Sequence, residues 1–438
     1  MWVAYNQDCG NFYGWHLKHH PNEPMTRQTL AEYFDPSLAS CVTHYFINPN
    51  GMTASFESDA FECDWKLHGK IECAMSSRYR THDKIMALKR QLADDKLDPF
   101  AFFMERARER GVSPWISMRM NDVHNVHDPS FCSLSTFWLK HPEFRREPGA
   151  TVRNGGQWTC WALDYSHPEV RAYSLAFVKE LLERYDVDGI ECDWMRFPEH
   201  LPPGRARECS PCLDEFMRDV RREANLAAKR RGHPILVGAR VDSDPRAALA
   251  RGTDPFQWAR EGSVDWVVPC NFFATVDFEL PYAEWRSRMD EISPQVRIVP
   301  GADSGLLVPG KGWNRRLLTR DEYYGWADRL QKQGANGFYL FNLFQHSETG
   351  AVWRSILKDG LSQEIIKNRT KSVPAGIARG ASLRFFVQEY VPMKIVILMA
   401  VGTLPLVSQA AYHGKTGKLP PNSVPGVYGD DGARYYES

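Results

Sequence analysis

The densest chemical signal in the chain is a short acidic run, Gly189-Ile190-Glu191-Cys192-Asp193-Trp194. Side chains of a strand alternate faces, so Glu191 and Asp193 share one face while Ile190, Cys192 and Trp194 share the other. Two carboxyl groups on one buried face are costly unless a cation or a proton neutralises each. A pair of carboxyls is also what cleavage of an acetal bond needs, one to protonate the leaving oxygen and one to act as nucleophile or base. Asp193, nearest the end of the strand, is the preferred nucleophile or base. Glu191, two residues deeper, is either a second catalytic group or the residue that tunes its neighbour. A purely structural Asp193 would pair with Arg119 or Arg196; a catalytic one should tolerate Asp193→Asn without loss of stability.

Other acids stand where apolar, strand-length runs end. Asp242 closes ILVGARVD and is followed by Asp244; Asp303 closes RIVPGAD; Asp277 and Glu279 follow VVPCNFFAT; Asp122 follows SMRMN. Asp242 and Asp303 sit closest to their strands and are the acid/base candidates, set against the common role of such aspartates as helix caps. Arg119 and Asn121 should face inward together, with the guanidinium fixing a carboxylate or an acidic sugar. Asn6, Asp8, Asn48, Asn271 and Asn342 follow other strands, and Arg196 follows the fourth. With Asp122 they would form a rim of amides and charges suited to sugar hydroxyls. Trp158, Trp161 and Trp194 are the candidate stacking surfaces in a chain with 14 Trp, against the plainer reading that they pack loops and core.

The elements that must position these groups alternate between strand-length apolar runs and helical patterns, the signature of parallel βα units. Eight strands can be counted: 2–6, 41–48, 113–121, 189–194, 235–241, 264–272, 297–302 and 336–343. Between the fourth strand and what precedes it, Ser166-x-x-Glu169 reads as a capping box opening a helix, and Asp186-Val-Asp188-Gly189 closes it. The expected fold is α/β, a (β/α)₈ TIM barrel, with long loops at 49–96 and 122–160 after strands two and three. Strand C-termini carry the chemistry of such barrels, so both loops should help build the substrate cleft. The barrel is complete by about residue 360. Residues 361–438 form a tail of different character, with an apolar stretch at 395–407 that is short for a membrane span.

The run LDYSHPEVRAYSLAFVKELLERYDVDGIECDWMRFP, residues 163–198, resembles the glycosyl hydrolase barrels called glycoside hydrolase-like family ten and their bacterial relatives. That resemblance is dense over these residues and extends loosely over 1–360 through punctuation such as SMRMND. It implies a (β/α)₈ fold, a carbohydrate substrate and a glycosidase-type activity. The segment Asp188–Met195 is also similar to the fourth-strand motif of chitinases, whose last position is the catalytic Glu. Here that position is Met195, so the second carboxylate has to come from another strand end.

Other classes are disfavoured. Lys+Arg and Asp+Glu balance at 54 each, so no basic field marks a nucleic-acid partner. No phosphate-cradling Gly-rich motif is present, and no cofactor is expected. Cys209-x-x-Cys212 lacks a second pair at zinc spacing, and His124-x-x-His127 with His16, His19 and His20 gives only a weak metal pattern, so no metal is expected. Two alternatives stay open: a carbohydrate-binding barrel without hydrolytic activity, and a metal-dependent barrel hydrolase. The N-terminus shows no signal peptide, which points to the cytoplasm unless the start is truncated, and membrane association is expected only through the tail.

Overall fold

The computed structural model describes residues 1–67, 80–128, 131, 133–150, 158–272, 275–307, 315–345, 347 and 349–374, with two short backbone stretches at 427–428 and 434–435. The apolar segment 395–407 lies outside these residues, and among them no helix is long and apolar enough to cross a membrane.

Each strand arises from a short run that is apolar on its helix-facing side and mixed on its inner side. They are β1 (Trp2–Gln7), β2 (His44–Ile47), β3 (Ser113–Arg119), β4 (Gly189–Asp193), β5 (Leu236–Asp242), β6 (Trp266–Cys270), β7 (Arg297–Ile298), β8 (Gly301–Ala302), a small antiparallel hairpin of β9 (Gly305–Leu307) and β10 (Arg315–Leu317), and β11 (Gly337–Leu340). Apart from that hairpin they form one parallel sheet in the order β7-β6-β5-β4-β3-β2-β1-β11-β8. The two ends of this order are halves of one strand. Pro300 lacks an N–H and interrupts the ladder; β7 pairs with β6 before the break and β8 pairs with β11 after it. Val299 N still reaches Val267 O at 2.9 Å and Tyr339 N reaches Pro300 O at 2.9 Å, so the sheet closes on itself. The fold is a (β/α)₈ barrel.

Several boundaries differ from the sequence reading. The second strand begins at His44 rather than Cys41, because residues 39–42 turn out of the helix Arg27–Leu38. The expected capping box at Ser166 does not form: Pro168 takes the first helical position, where its missing N–H costs nothing, and the helix runs Pro168–Arg184 with His167 as the flanking residue. The helix Asn11–His19 follows β1, buries Phe12, Tyr13 and His16, and packs against the helices Arg27–Leu38 and Arg80–Asp94.

The barrel interior is plugged at its N-terminal end by aromatic side chains. Trp115 and Trp266 meet edge to face at 5.3 Å, Phe46 lies 4.8 Å from Trp115, and His44 lies 4.8 Å from Trp266. Burying each such ring contributes about 2–3 kcal/mol. Gly189 makes the plug possible, since a Cβ there would sit 2.4 Å from the Trp115 ring. The loop after β2 is pinned by a buried ion pair of Lys89 with Asp64, joining it to the helix Arg80–Asp94. Residues beyond 360 continue onto the barrel: Leu361 and Ile366 are buried, and Ser372 N donates to Asp321 O at 3.0 Å.

Candidate active site

Above the aromatic plug the inner faces turn polar. Register places Ser117, Glu191 and Gly238 side by side on β3, β4 and β5, and Arg119, Asp193 and Arg240 side by side one layer nearer the C-terminal mouth. In the lower layer Glu191 is wholly buried; its Oε1 accepts from Ser117 Oγ at 2.6 Å and Tyr339 Oη at 2.8 Å. Tyr339 Oη in turn accepts from Asn6 Nδ2 at 2.6 Å. Burial, with the Asp193 charge beside it, pushes the Glu191 carboxyl up to about 7.

In the upper layer Asp193 is gripped from two sides by one guanidinium. Arg240 Nε reaches Oδ1 at 2.7 Å and Nη2 reaches Oδ2 at 2.7 Å, while Met195 N donates to Oδ1 at 2.9 Å. The expected partners of Asp193, Arg119 and Arg196, are engaged elsewhere. Arg119 bridges Asp8 Oδ1 at 2.8 Å and Asp122 Oδ2 at 2.9 Å; Arg196 approaches Asp8 Oδ2 at 3.7 Å. Asp122 Oδ1 also holds His124 Nδ1 at 2.7 Å. Burial alone would raise Asp8, yet Arg119 and Arg196 outweigh it and hold it below the ordinary carboxylate range. Asp122 is depressed in the same way, burial being overcome by His124 and Arg119.

The remaining candidates divide by position. Asp242 lies at the mouth but is closed off by an ion pair with Arg251 and by Asp244 N at 3.0 Å; burial raises it and Arg251 opposes. Arg251 and Arg146 both reach Glu199, at 3.6 Å and 2.9 Å, so this cluster ties β5 to the loop after β4. Asp303 is completely buried beside Asn342, which adopts φ 53° and donates from Nδ2 at 2.8 Å. Asn48 donates to Ser117 O at 2.8 Å, and Asn271 Oδ1 lies 2.7 Å from Ser243 Oγ. Asn121 does not face the cleft as expected. Its amide spans Leu163 N and O and reaches His200, so it clamps the long loop to the barrel.

Trp194 is likewise not a rim residue, because alternation carries past Asp193 and turns the indole outward. It packs among Tyr165, His200 and Trp258 under the helices. Trp161 is built into its own loop, with Nε1 donating to Ala150 O at 3.0 Å and the Arg145 guanidinium over its ring. The Trp158 side chain lies outside the described residues. Among the described residues no three His, Cys, Asp or Glu side chains are grouped as metal ligands.

Arg240, Tyr339 and Ser117 were not singled out from sequence. Strand alternation carried the signal: Gly238, Arg240 and Asp242 share a face, as do Tyr339 and Phe341, and the inner one is set by the neighbouring Glu191 and Asp193.

A family model described as glycosyl hydrolase-like 10 matches residues 73–204. The chain resembles the glycosyl hydrolase-like barrels. The matched stretch carries Ser117, Arg119, Asp122, Glu191, Asp193 and Arg196 and ends before Arg240 and Tyr339. Comparison with curated proteins found no match. Among solved structures, similar chains include α-L-fucosidase isoenzyme 2 from Paenibacillus thiaminolyticus, at 12% identity and TM-score 0.46, covering 81% of this chain and 48% of that one. The glycoside hydrolase domain of PgaB (BpsB) from Bordetella bronchiseptica matches at 10% identity and TM-score 0.44 over 81% of this chain and 98% of that one. A maltogenic α-amylase, AmyB, from Thermotoga neapolitana matches at 13% identity and TM-score 0.39 over 84% and 77%. The chain thus spans about half the length of the fucosidase.

Proposed function

We propose that the protein is a glycoside hydrolase acting on an oligo- or polysaccharide, with Asp193 as its ionised nucleophile or base. The observation that carries this reading is the pair of carboxyls on the inner face of β4. Arg240 gives Asp193 a two-point counterion at the mouth, while the deeper Glu191 accepts from two hydroxyls and is pushed up to about 7 by burial and the Asp193 charge. In this reading Asp193 is the nucleophile or base, Glu191 behind it tunes that carboxylate, and the acid comes from another strand end. Asp242 and Asp303 are the acid/base candidates, the first held by Arg251 and Asp244 N, the second by Asn342 Nδ2 and Ser304 Oγ. The glycosyl hydrolase-like sequence match over β3 and β4 supports the substrate class.

One observation favours a second reading. Asp8, Asp122, Asp193 and Asp242 all touch an arginine. A mouth so neutralised also suits a barrel that binds carbohydrate without cleaving it. Incubating the purified full chain with a panel of oligosaccharides and polysaccharides, and following both binding and new reducing ends, separates the two. Binding without new ends on any member would favour the second.

A further inference from the structure

Glu191 stands apart from the four arginine-bound aspartates of the mouth. Among the described residues it receives the Ser117 and Tyr339 hydroxyls, both on Oε1, and its Oε2 has no partner although the side chain is wholly buried. The charged and titratable groups around it are Asp193 and the Cys192 thiol on its own strand, Arg240 on β5, Cys270 on β6 and Tyr339 on β11. Arg240 is the cation beside it among the described residues, and that guanidinium already gives Nε and Nη2 to Asp193. An ionised Glu191 would therefore be a buried charge without a counterion of its own. A protonated one fits: Oε1 accepts two hydrogen bonds and Oε2 carries the proton.

The direction of the chain of hydrogen bonds is fixed. Asn6 Nδ2 can only donate, so Tyr339 Oη accepts from it and its single hydrogen points to Glu191. This line joins the rim of β1 to the inner face of β4 through β11.

We propose that Glu191 is a positioning residue that must hold its proton for the site to work. When that proton leaves to solvent, Arg240 is shared between two carboxylates and the two-point grip on Asp193 loosens. This rests on Asp193 being the functional carboxylate. Burial and the Asp193 charge push Glu191 up to about 7, which places the switch near neutrality.

The test is the pH profile of kcat/KM for the full chain and two variants. Wild-type activity should fall about tenfold from its acidic plateau by pH 8, as one proton is lost. Glu191→Gln keeps the shape and the neutral state, so it should stay within a few-fold of wild type at pH 6 and lose that alkaline limb. Tyr339→Phe removes a donor to the ionised form and should move the limb to higher pH. An infrared arm needs no substrate: the carbonyl band of a protonated carboxylic acid should be present at pH 6, disappear through about pH 7, and be missing from Glu191→Gln. Abolished turnover in Glu191→Gln at every pH would make Glu191 a direct reactant and overturn the proposal, as would an unshifted limb or no such band. If no sugar is cleaved, the hydrolase reading fails while the infrared titration still decides where the proton sits.

Discussion

Asp193→Asn removes one negative charge from a buried pair and leaves its outline almost unchanged. From sequence alone that change was expected to spare the fold, by relieving repulsion with Glu191. The two-point contact with Arg240 reverses the expectation, since both side chains are 5% exposed and the guanidinium would be left without its carboxylate. Breaking a buried ion pair from one side costs about 3–5 kcal/mol. Glu191, freed from the Asp193 charge, would ionise more readily and take up part of the guanidinium, so the low end, about 3 kcal/mol, is expected. In a chain of this length that corresponds to a fall in Tm of roughly 3–4 °C. Arg240→Met in the same chain should recover most of this, because a neutral pair of similar volume carries no orphaned charge. Differential scanning calorimetry of Asp193→Asn, Arg240→Met and the double variant gives the cycle. A double variant no more stable than Asp193→Asn alone would refute the argument that the lost stability comes from a stranded cation.

Three further outcomes follow from the same geometry. Gly189→Ala forces a Cβ to within 2.4 Å of the Trp115 ring and should cost at least about 1–3 kcal/mol in urea unfolding, with unchanged stability contradicting the plugged interior. Glu191 keeps its proton in the folded chain up to about 7, while the unfolded chain releases it near the ordinary 4.5, so its contribution falls as pH rises between those values. His44 and His200, held down to about 4 and about 3 by burial, act oppositely and lose stability as pH falls below the ordinary 6.5. Comparison with Glu191→Gln cancels the histidines: the variant should gain about 3 kcal/mol on wild type between pH 4.5 and 7, and a constant difference would remove Glu191 from the account. We also propose that the catalytic unit extends a little past residue 360. A chain ending at 374 should melt like the full protein, whereas one ending at 360 loses buried Leu361 and Ile366, each worth about 1.5–3 kcal/mol, and should melt earlier.

The barrel was legible because each of its strands is a short apolar run bounded by turn residues, and period-two alternation then placed Glu191 and Asp193 inside and Ile190 and Cys192 outside. The same rule turns Trp194 outward, yet a tryptophan beside two inward carboxyls invites a sugar-stacking role that the packing against Tyr165 and His200 removes. Pairing between strands was not legible. Arg119 and Arg240 lie on either side of Asp193 in register, and only the directions of their side chains decide that Arg240 takes Asp193 while Arg119 turns to Asp8 and Asp122. Loop clamps such as Asn121 look the same in sequence as rim amides, because both follow a strand end. The split of the seventh strand at Pro300 was visible as a proline, but its consequence, pairing to β6 before the break and β11 after it, depends on closure of the whole barrel.

The most direct test of the central claim compares wild type with the Asp193→Asn, Arg240→Met double variant on an oligosaccharide that the wild type cleaves. The double variant is chosen because its stability should be near that of wild type, so lost turnover cannot be lost fold. Initial rates of reducing-end release and sugar affinity by calorimetry are measured on the same preparations. A hydrolase working through Asp193 predicts a loss of about a thousandfold in rate with affinity within a few-fold. A folded double variant that cleaves at a rate near wild type would contradict the assignment of Asp193.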